Sequence, residues 1–246
     1  MTSIKPTALL KGEGLPDYEK ITPNEITENI PKLIKDLNEN LKRLEEQLDK
    51  KLSTKRSISW EDVMPQLYEI GEKLRWSWGV VSHLNGVCNS PELREVHSIQ
   101  QPTIVRFSNQ LAQNEVIFKA LSNLKEHGEI TNETQTRIIE TELITMKNKG
   151  IGLGSDEKTI FNSRSERLAE LSTTFSNNVL DSTKNWSLLL KNHSEVDGLP
   201  ERALETLALA AKEAGDKDVE GNAPSALTGP WRVGLDMPRY IPFQTY

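Results

Sequence analysis

The stretch "ITPNEITENIPKLIKDLNENLKRLEEQLDKKL" repeats apolar side chains at Ile26, Ile30, Leu33, Ile34, Leu37, Leu41, Leu44 and Leu48. Steps of three and four residues place all eight on one stripe of an α-helix, whereas a strand would throw them alternately to opposite faces. A stripe that long is stable in water only when other helices cover it, which commits the chain to a helical architecture. Thr22 as N-cap, Pro23 at the first helical position and Glu25 at the third read as a capping box. Pro31 has no N–H to donate to the carbonyl of Thr27 and is expected to bend the helix.

The same period continues downstream. A second helix opens at Ser59 and buries Trp60, Val63, Leu67, Ile70, Leu74, Trp78 and Val81, with Asn85 and Gly86 as its expected C-terminal cap. Ser90 and Pro91 start a third helix, kinked at Pro102, with Leu93, Val96, Ile104, Phe107 and Leu111 inward. Val116, Ile117, Ala120, Leu121 and Leu124 mark a fourth, and Thr131 to Lys149 a fifth. A sixth, long helix carries Ile160, Leu168, Leu171, Phe175 and Val179 on one face. The pattern then changes. "NWSLLLK" reads as a strand, Leu199 to Ala214 as a helix, and Trp231, Val233, Leu235 and Met237 alternate like a second strand. The expected fold class is mainly α: a multi-helix antiparallel lobe over residues 1–183, then a small β-α-β element over residues 184–246. The apolar end "RYIPFQTY" is read either as a truncation or as a terminus that docks into a core.

Composition narrows the partners. A net charge of −6 offers no basic footprint for phosphate backbones, so nucleic acid is not expected as a partner. Lys50, Lys51, Lys55 and Arg56 form one local basic cluster, read as a solvated loop between helices. One cysteine excludes an intramolecular disulfide, and the N-terminus lacks the apolar core of a secretory signal. No apolar run approaches the ~18 residues of a membrane span. The expected setting is cytoplasmic, without a membrane partner.

Candidate chemistry concentrates in "WSWGVVSHLNGVCNSPELREVHS", where His83, Cys88 and His97 lie close together. Separations of five and nine residues do not place three ligands on one helix face, and structural zinc sites favour shorter pairs. Cys88 is read as a buried thiol, and the histidines as helix-surface or interhelical groups. His127 beside Glu129 and His193 beside Glu195 sit in apparent loops, and neither pair forms H-E-x-x-H. Glu166 and Glu170 share a helix face and read as solvated surface. "KGIGLGSDEK" has neither the lysine of a Walker loop nor a complete G-x-G-x-x-G. It reads as Gly150 capping one helix and Ser155 starting the next. The residues alone nominate no catalytic, cofactor-binding or metal-binding position.

Five collinear stretches nevertheless carry a resemblance: "LPDYEKITPNEITENIPKLI", "SWEDVMPQLYEIGEKLRWSWGVVSHLNGVCNSPELREV", "GIGL", "LAELSTTFSNNVLDST" and "LDMPRYIPFQTY". From about Leu15 to Tyr246 the chain resembles the N-terminal part of the thimet oligopeptidase family of zinc metalloendopeptidases. The resemblance implies a mostly helical fold in which two lobes flank a channel that admits short peptides and excludes folded proteins. It implies zinc as cofactor of the complete enzyme, on an H-E-x-x-H helix beyond the equivalent of Tyr246, with none bound by this chain. It further implies metal-assisted peptide hydrolysis, in which zinc polarises the scissile carbonyl and lowers the pKa of its bound water. This segment would then be inactive alone, would contribute to the channel wall, and would have the missing C-terminal catalytic domain as its partner.

Two other readings stay open on the residues. One is a free-standing helical module that binds a peptide or a protein and hydrolyses nothing. The other is a small metalloprotein built on His83, Cys88 and His97, which would carry stoichiometric metal after purification.

Overall fold

The computed structural model describes residues 7–54, 56–128, 130 and 132–246. Among these residues, eight α-helices and two short strands run in the order α1 (Pro23–Ser53), α2 (Trp60–Val87), α3 (Pro91–Ala112), α4 (Glu115–His127), α5 (Glu133–Asn148), α6 (Ser155–Asn185), β1 (Ser187–Leu190), α7 (Glu201–Glu213), β2 (Trp231–Gly234) and α8 (Met237–Thr245). The fold is mainly α with a small two-stranded sheet near the C-terminus, as the periodicity predicts. Contacts divide the chain into two compact units, one ending at Leu171 and the other running Ser172–Tyr246. No helix among the described residues is long and apolar enough to cross a membrane.

In the first unit α1 is the central element. Its stripe is buried at Ile26, Ile30, Leu33, Leu37, Leu41, Leu44 and Leu48, and it packs against α2, α3 and α4. Removing each such side chain from water contributes about 1.5–3 kcal/mol, which is what makes this helix the organising element. Polar pairs on the rim fix direction. Lys51 pairs with Asp62, Gln66 donates to Gln47 at 3.2 Å, and Lys73 lies 3.8 Å from Asp36. As the α2 number rises its α1 partner falls, so the two helices are antiparallel. Lys125 and Glu140, 3.0 Å apart, tie α4 to α5.

Capping follows the sequence with informative exceptions. The Thr22 hydroxyl accepts from the Glu25 N–H at 3.3 Å, but the Glu25 carboxylate accepts from the N–H of Leu9 at 3.4 Å and does not close the expected box. Leu9 is fully buried, and its carbonyl accepts from the Ser77 hydroxyl at 3.0 Å. The segment before α1 is thereby tied to both α1 and α2. Ser59 closes a complete capping box with Asp62, whose carboxyl is held below the usual range by hydrogen bonds from Lys51 and Ser59, against the opposing effect of burial. Ser90 and Asn114 cap α3 and α4 by accepting from Leu93 and Ile117.

Gly86 is not a cap: α2 continues through it to Val87, and Cys88 is the C-cap, donating its N–H to Leu84 at 2.8 Å. Thr131, the expected start of α5, lies outside the described residues, and the helix begins at Glu133 with Asn132 as N-cap. Gly150 closes α5 with φ +88°. Its N–H reaches the Lys147 carbonyl and the next N–H, of Ile151, reaches Met146. A left-handed residue with this bond pair is the usual helix-ending motif. Ser155 is already helical, one residue ahead of its expected capping place, and the N–H of Gly154 donates to Glu157 at 3.1 Å.

The second unit pairs β1 with β2 antiparallel, Leu188 opposite Val233 and Leu190 opposite Trp231. Leu190, Val196, Leu207, Ala208, Trp231 and Val233 form its core under α7. Strand β2 stops at Gly234, so the expected alternation fails there. Leu235 and Met237 are exposed, and Met237 opens α8, whose Tyr240 N–H donates to Asp236 at 2.8 Å. Arg232 clamps Asp216 with two parallel bonds of 2.7 and 2.8 Å, joining β2 to the segment after α7.

Candidate functional site

The three residues that concentrated the candidate chemistry do not share an environment. His83 lies on the exposed side of α2, its ring 5.5 Å from that of Tyr18. His97 is 5% exposed, and its ring stacks on Trp78 at 4.7 Å and 29°. That contact bridges α3 and α2, so His97 is an interhelical histidine. Burial holds its pKa below the ordinary value, and its Nδ1 has no hydrogen-bond partner among the described residues. Cys88 is exposed, which corrects its reading as a buried thiol. The reason is local: position 88 is in helical phase with the buried Val81 and Leu84, but Cys88 is the C-cap with φ −127°, where the backbone has left the helix and the period no longer sets the side-chain direction. No group of three or more potential metal ligands occurs among the described residues.

The other polar candidates are capping or surface groups. His127 ends α4 instead of lying in a loop, with its Nε2 3.7 Å from Glu126, and Glu129 lies outside the described residues. Glu195 accepts from the backbone N–H groups of Asn192 and Lys191 at 2.9 and 3.1 Å, which hold its carboxyl below the usual range. His193 sits edge-on to Trp231 at 5.7 Å. Glu166 and Glu170 each have their own cation, Arg106 at 3.2 Å and Arg167 at 2.7 Å, and form no catalytic carboxylate pair.

Two features escape the periodic pattern. Helix α6 has 31 residues and no buried side chain among them, and its apolar face stays exposed: Leu168 at 66%, Leu171 at 48%, Phe175 at 70% and Val179 at 49%. The second is a cavity of about 340 Å³ walled by Met64, Leu74, Leu111, Ile117 and Met146, which Glu142 and Tyr68 also line. Glu142 stands between Ile139 and Met146 on the buried stripe of α5, and that placement of an acid is the signal in the sequence that points to it.

The fold and its helix order have a counterpart among known proteins. Residues 30–158 match the family model of the neurolysin/thimet oligopeptidase N-terminal domain, and the chain belongs to that family. Its relatives include oligopeptidase A of Haemophilus influenzae, 33% identical over 240 residues, and oligopeptidase A of Escherichia coli, 32% identical over 240 residues; each alignment covers 97% of this chain and 32% of the relative. A probable cytosolic oligopeptidase A of Arabidopsis thaliana is 31% identical over 236 residues, covering 95% of this chain and 32% of its own length. The chain thus spans about a third of the length of the curated relatives it matches.

Proposed function

We propose that this chain is the N-terminal, non-catalytic portion of a zinc metalloendopeptidase that hydrolyses short peptides, and that it supplies part of the wall of the substrate channel. The observation that carries the reading is the match itself: 97% of the chain aligns with one third of oligopeptidase A. The exposed face of α6 supports the partner. An apolar stripe on a helix with nothing buried is a surface made to be covered, and the remainder of the same polypeptide is the proposed cover.

The described residues do not fit a zinc site of their own. His97 is enclosed by the α2–α3 contact, while His83 and Cys88 are exposed apart from it. Zinc is therefore assigned to the portion beyond this chain. The channel-wall role is assigned to the helical lobe of residues 1–183, which holds all but the last two residues of α6; residues 184–246 are assigned to the strand-helix-strand element. The net charge of −6 gives no support to a nucleic-acid role. A cytoplasmic location is supported by the cytosolic relative, alongside an organellar oligopeptidase A of Arabidopsis thaliana at 30% identity.

The test is to extend the reading frame past the Tyr246 codon and to assay both products on quenched fluorescent peptides of different lengths. Hydrolysis of short peptides by the longer product alone, lost on chelation and restored by zinc, is the expected result. A stop codon directly after Tyr246 would sink the proposal and leave a free-standing helical binding module; hydrolysis by the 246-residue chain itself would overturn the non-catalytic assignment.

A further inference from the structure

The cavity between α2, α3, α4 and α5 combines three properties. Its walls are apolar, through Met64, Leu74, Leu111, Ile117 and Met146. Its volume of about 340 Å³ falls within the range of sites that hold small ligands. Of its two carboxylates, Glu142 has no cation partner among the described residues. Glu72 also lines the cavity, but Arg75 beside it is its ion-pair partner.

Glu142 is half-buried and accepts no hydrogen bond from a described residue. Burial raises its pKa above the ordinary carboxylate value, and the charge of Glu142 in turn adds to the rise at Tyr68. A carboxylate taken partly out of water without a donor is destabilising, and a cation brought from outside removes that penalty. The wall also leaves room. Gly71 on α2 lines the cavity, and a Cβ built there would meet no atom within 4 Å.

We propose that this cavity binds an ammonium group carried on an apolar stem, as in a lysine side chain or a simple alkylamine, with Glu142 as its counter-ion. The stem lies along the methionine and leucine walls. The Tyr68 ring adds the kind of surface to which cations are attracted. The charged and titratable groups facing the site are Glu142 from α5 and Tyr68, Glu72 and Arg75 from α2; the α3 wall contributes the neutral Ser108. An anion of the same shape would meet Glu142 and be rejected. This site is independent of the peptidase reading.

The methyl groups of Met64 and Met146, buried immediately behind the lining, report on its occupancy. In methyl NMR of the 246-residue chain, n-hexylammonium is expected to shift both signals saturably, while n-hexanol and hexanoate of equal stem length shift them at least about tenfold more weakly. Glu142→Gln keeps the shape and removes the charge. It is expected to weaken hexylammonium binding about tenfold while leaving hexanol unchanged. Gly71→Phe fills the space from α2 and should abolish binding of both, with an unchanged melting temperature confirming that the fold is intact. Wild-type affinity for the amine falls as Glu142 takes up its proton in acid, and the Glu142→Gln variant lacks that dependence. A blocked Ala-Lys-Ala peptide separates the sources: shifts with the peptide assign the site to a lysine side chain, and shifts with hexylammonium alone assign it to free amines. Absence of any shift, or equal binding of the amine to wild type and Glu142→Gln, overturns the proposal.

Discussion

The imidazole of His97 lies stacked on the indole of Trp78, with ring centroids 4.7 Å apart. Burial lowers the pKa of this imidazole, so below about pH 6.5 the unfolded chain binds more proton than the folded chain does. The contribution to stability is therefore complete above that pH and is lost as pH falls from there towards the folded value. Urea midpoints should drop between pH 7.5 and pH 5.5, and His97→Phe, which keeps a ring against Trp78, should flatten that part of the profile. His83→Ala, on the exposed side of α2, should change stability by no more than about 0.5 kcal/mol.

Asp216 and Arg232 provide the opposite sign. The hydrogen bonds from Arg232 hold the Asp216 carboxyl below its ordinary range, so the stabilisation is present above about pH 3.9 and is lost as pH falls through the folded value. Both side chains are partly buried, and the contact is bidentate. Asp216→Asn should cost about 1–3 kcal/mol at pH 7, read as a lower denaturation midpoint of the second unit.

Glu142 responds in the other direction again. Its folded pKa is raised by burial, so its favourable contribution exists below about pH 4.3 and disappears as pH rises through the folded value. Glu142→Gln is expected to melt higher than wild type at pH 7 and to lose that advantage in acid, which thermal scans at the two pH values would decide.

Leu41 and Leu168 are both leucines on apolar helix stripes, with opposite surroundings. Leu41 is fully buried and Leu168 is 66% exposed. Leu41→Ala should cost about 2–5 kcal/mol, whereas Leu168→Ala in the 246-residue chain should stay within about 0.5 kcal/mol. A large loss at Leu168 in this chain would mean that α6 packs as a core helix.

That contrast marks what the sequence could and could not specify. The stripe of α1 and the caps at Thr22, Ser59 and Ser90 were legible because they depend on local spacing and on one side-chain oxygen per helix end. Periodicity puts Leu168, Leu171, Phe175 and Val179 on one face, but does not say what lies against it. Gly86 and Cys88 were misplaced because a helix stops where its last carbonyls find partners, and the bond from the Cys88 N–H to Leu84 is not a property of composition. Residues 237–245 form a helix although Met237 continues an alternating pattern, since Asp236 receives the first backbone bonds of a new turn. The surroundings of Glu142 are not legible in the sequence because its neighbours in space come from α2 and α3, far away in the chain.

A helix of 31 residues is about 46 Å long. With no side chain buried along it, α6 is held by its backbone bonds and by polar contacts such as Arg106–Glu166 and Gln113–Asn162, so its amides should open to solvent exchange far sooner than those of α1. Deuterium uptake along α6 consequently serves as a gauge of occupancy. Fast exchange records a bare face, and slowing confined to the turns around Leu168, Leu171, Phe175 and Val179 would trace the footprint of whatever comes to rest there.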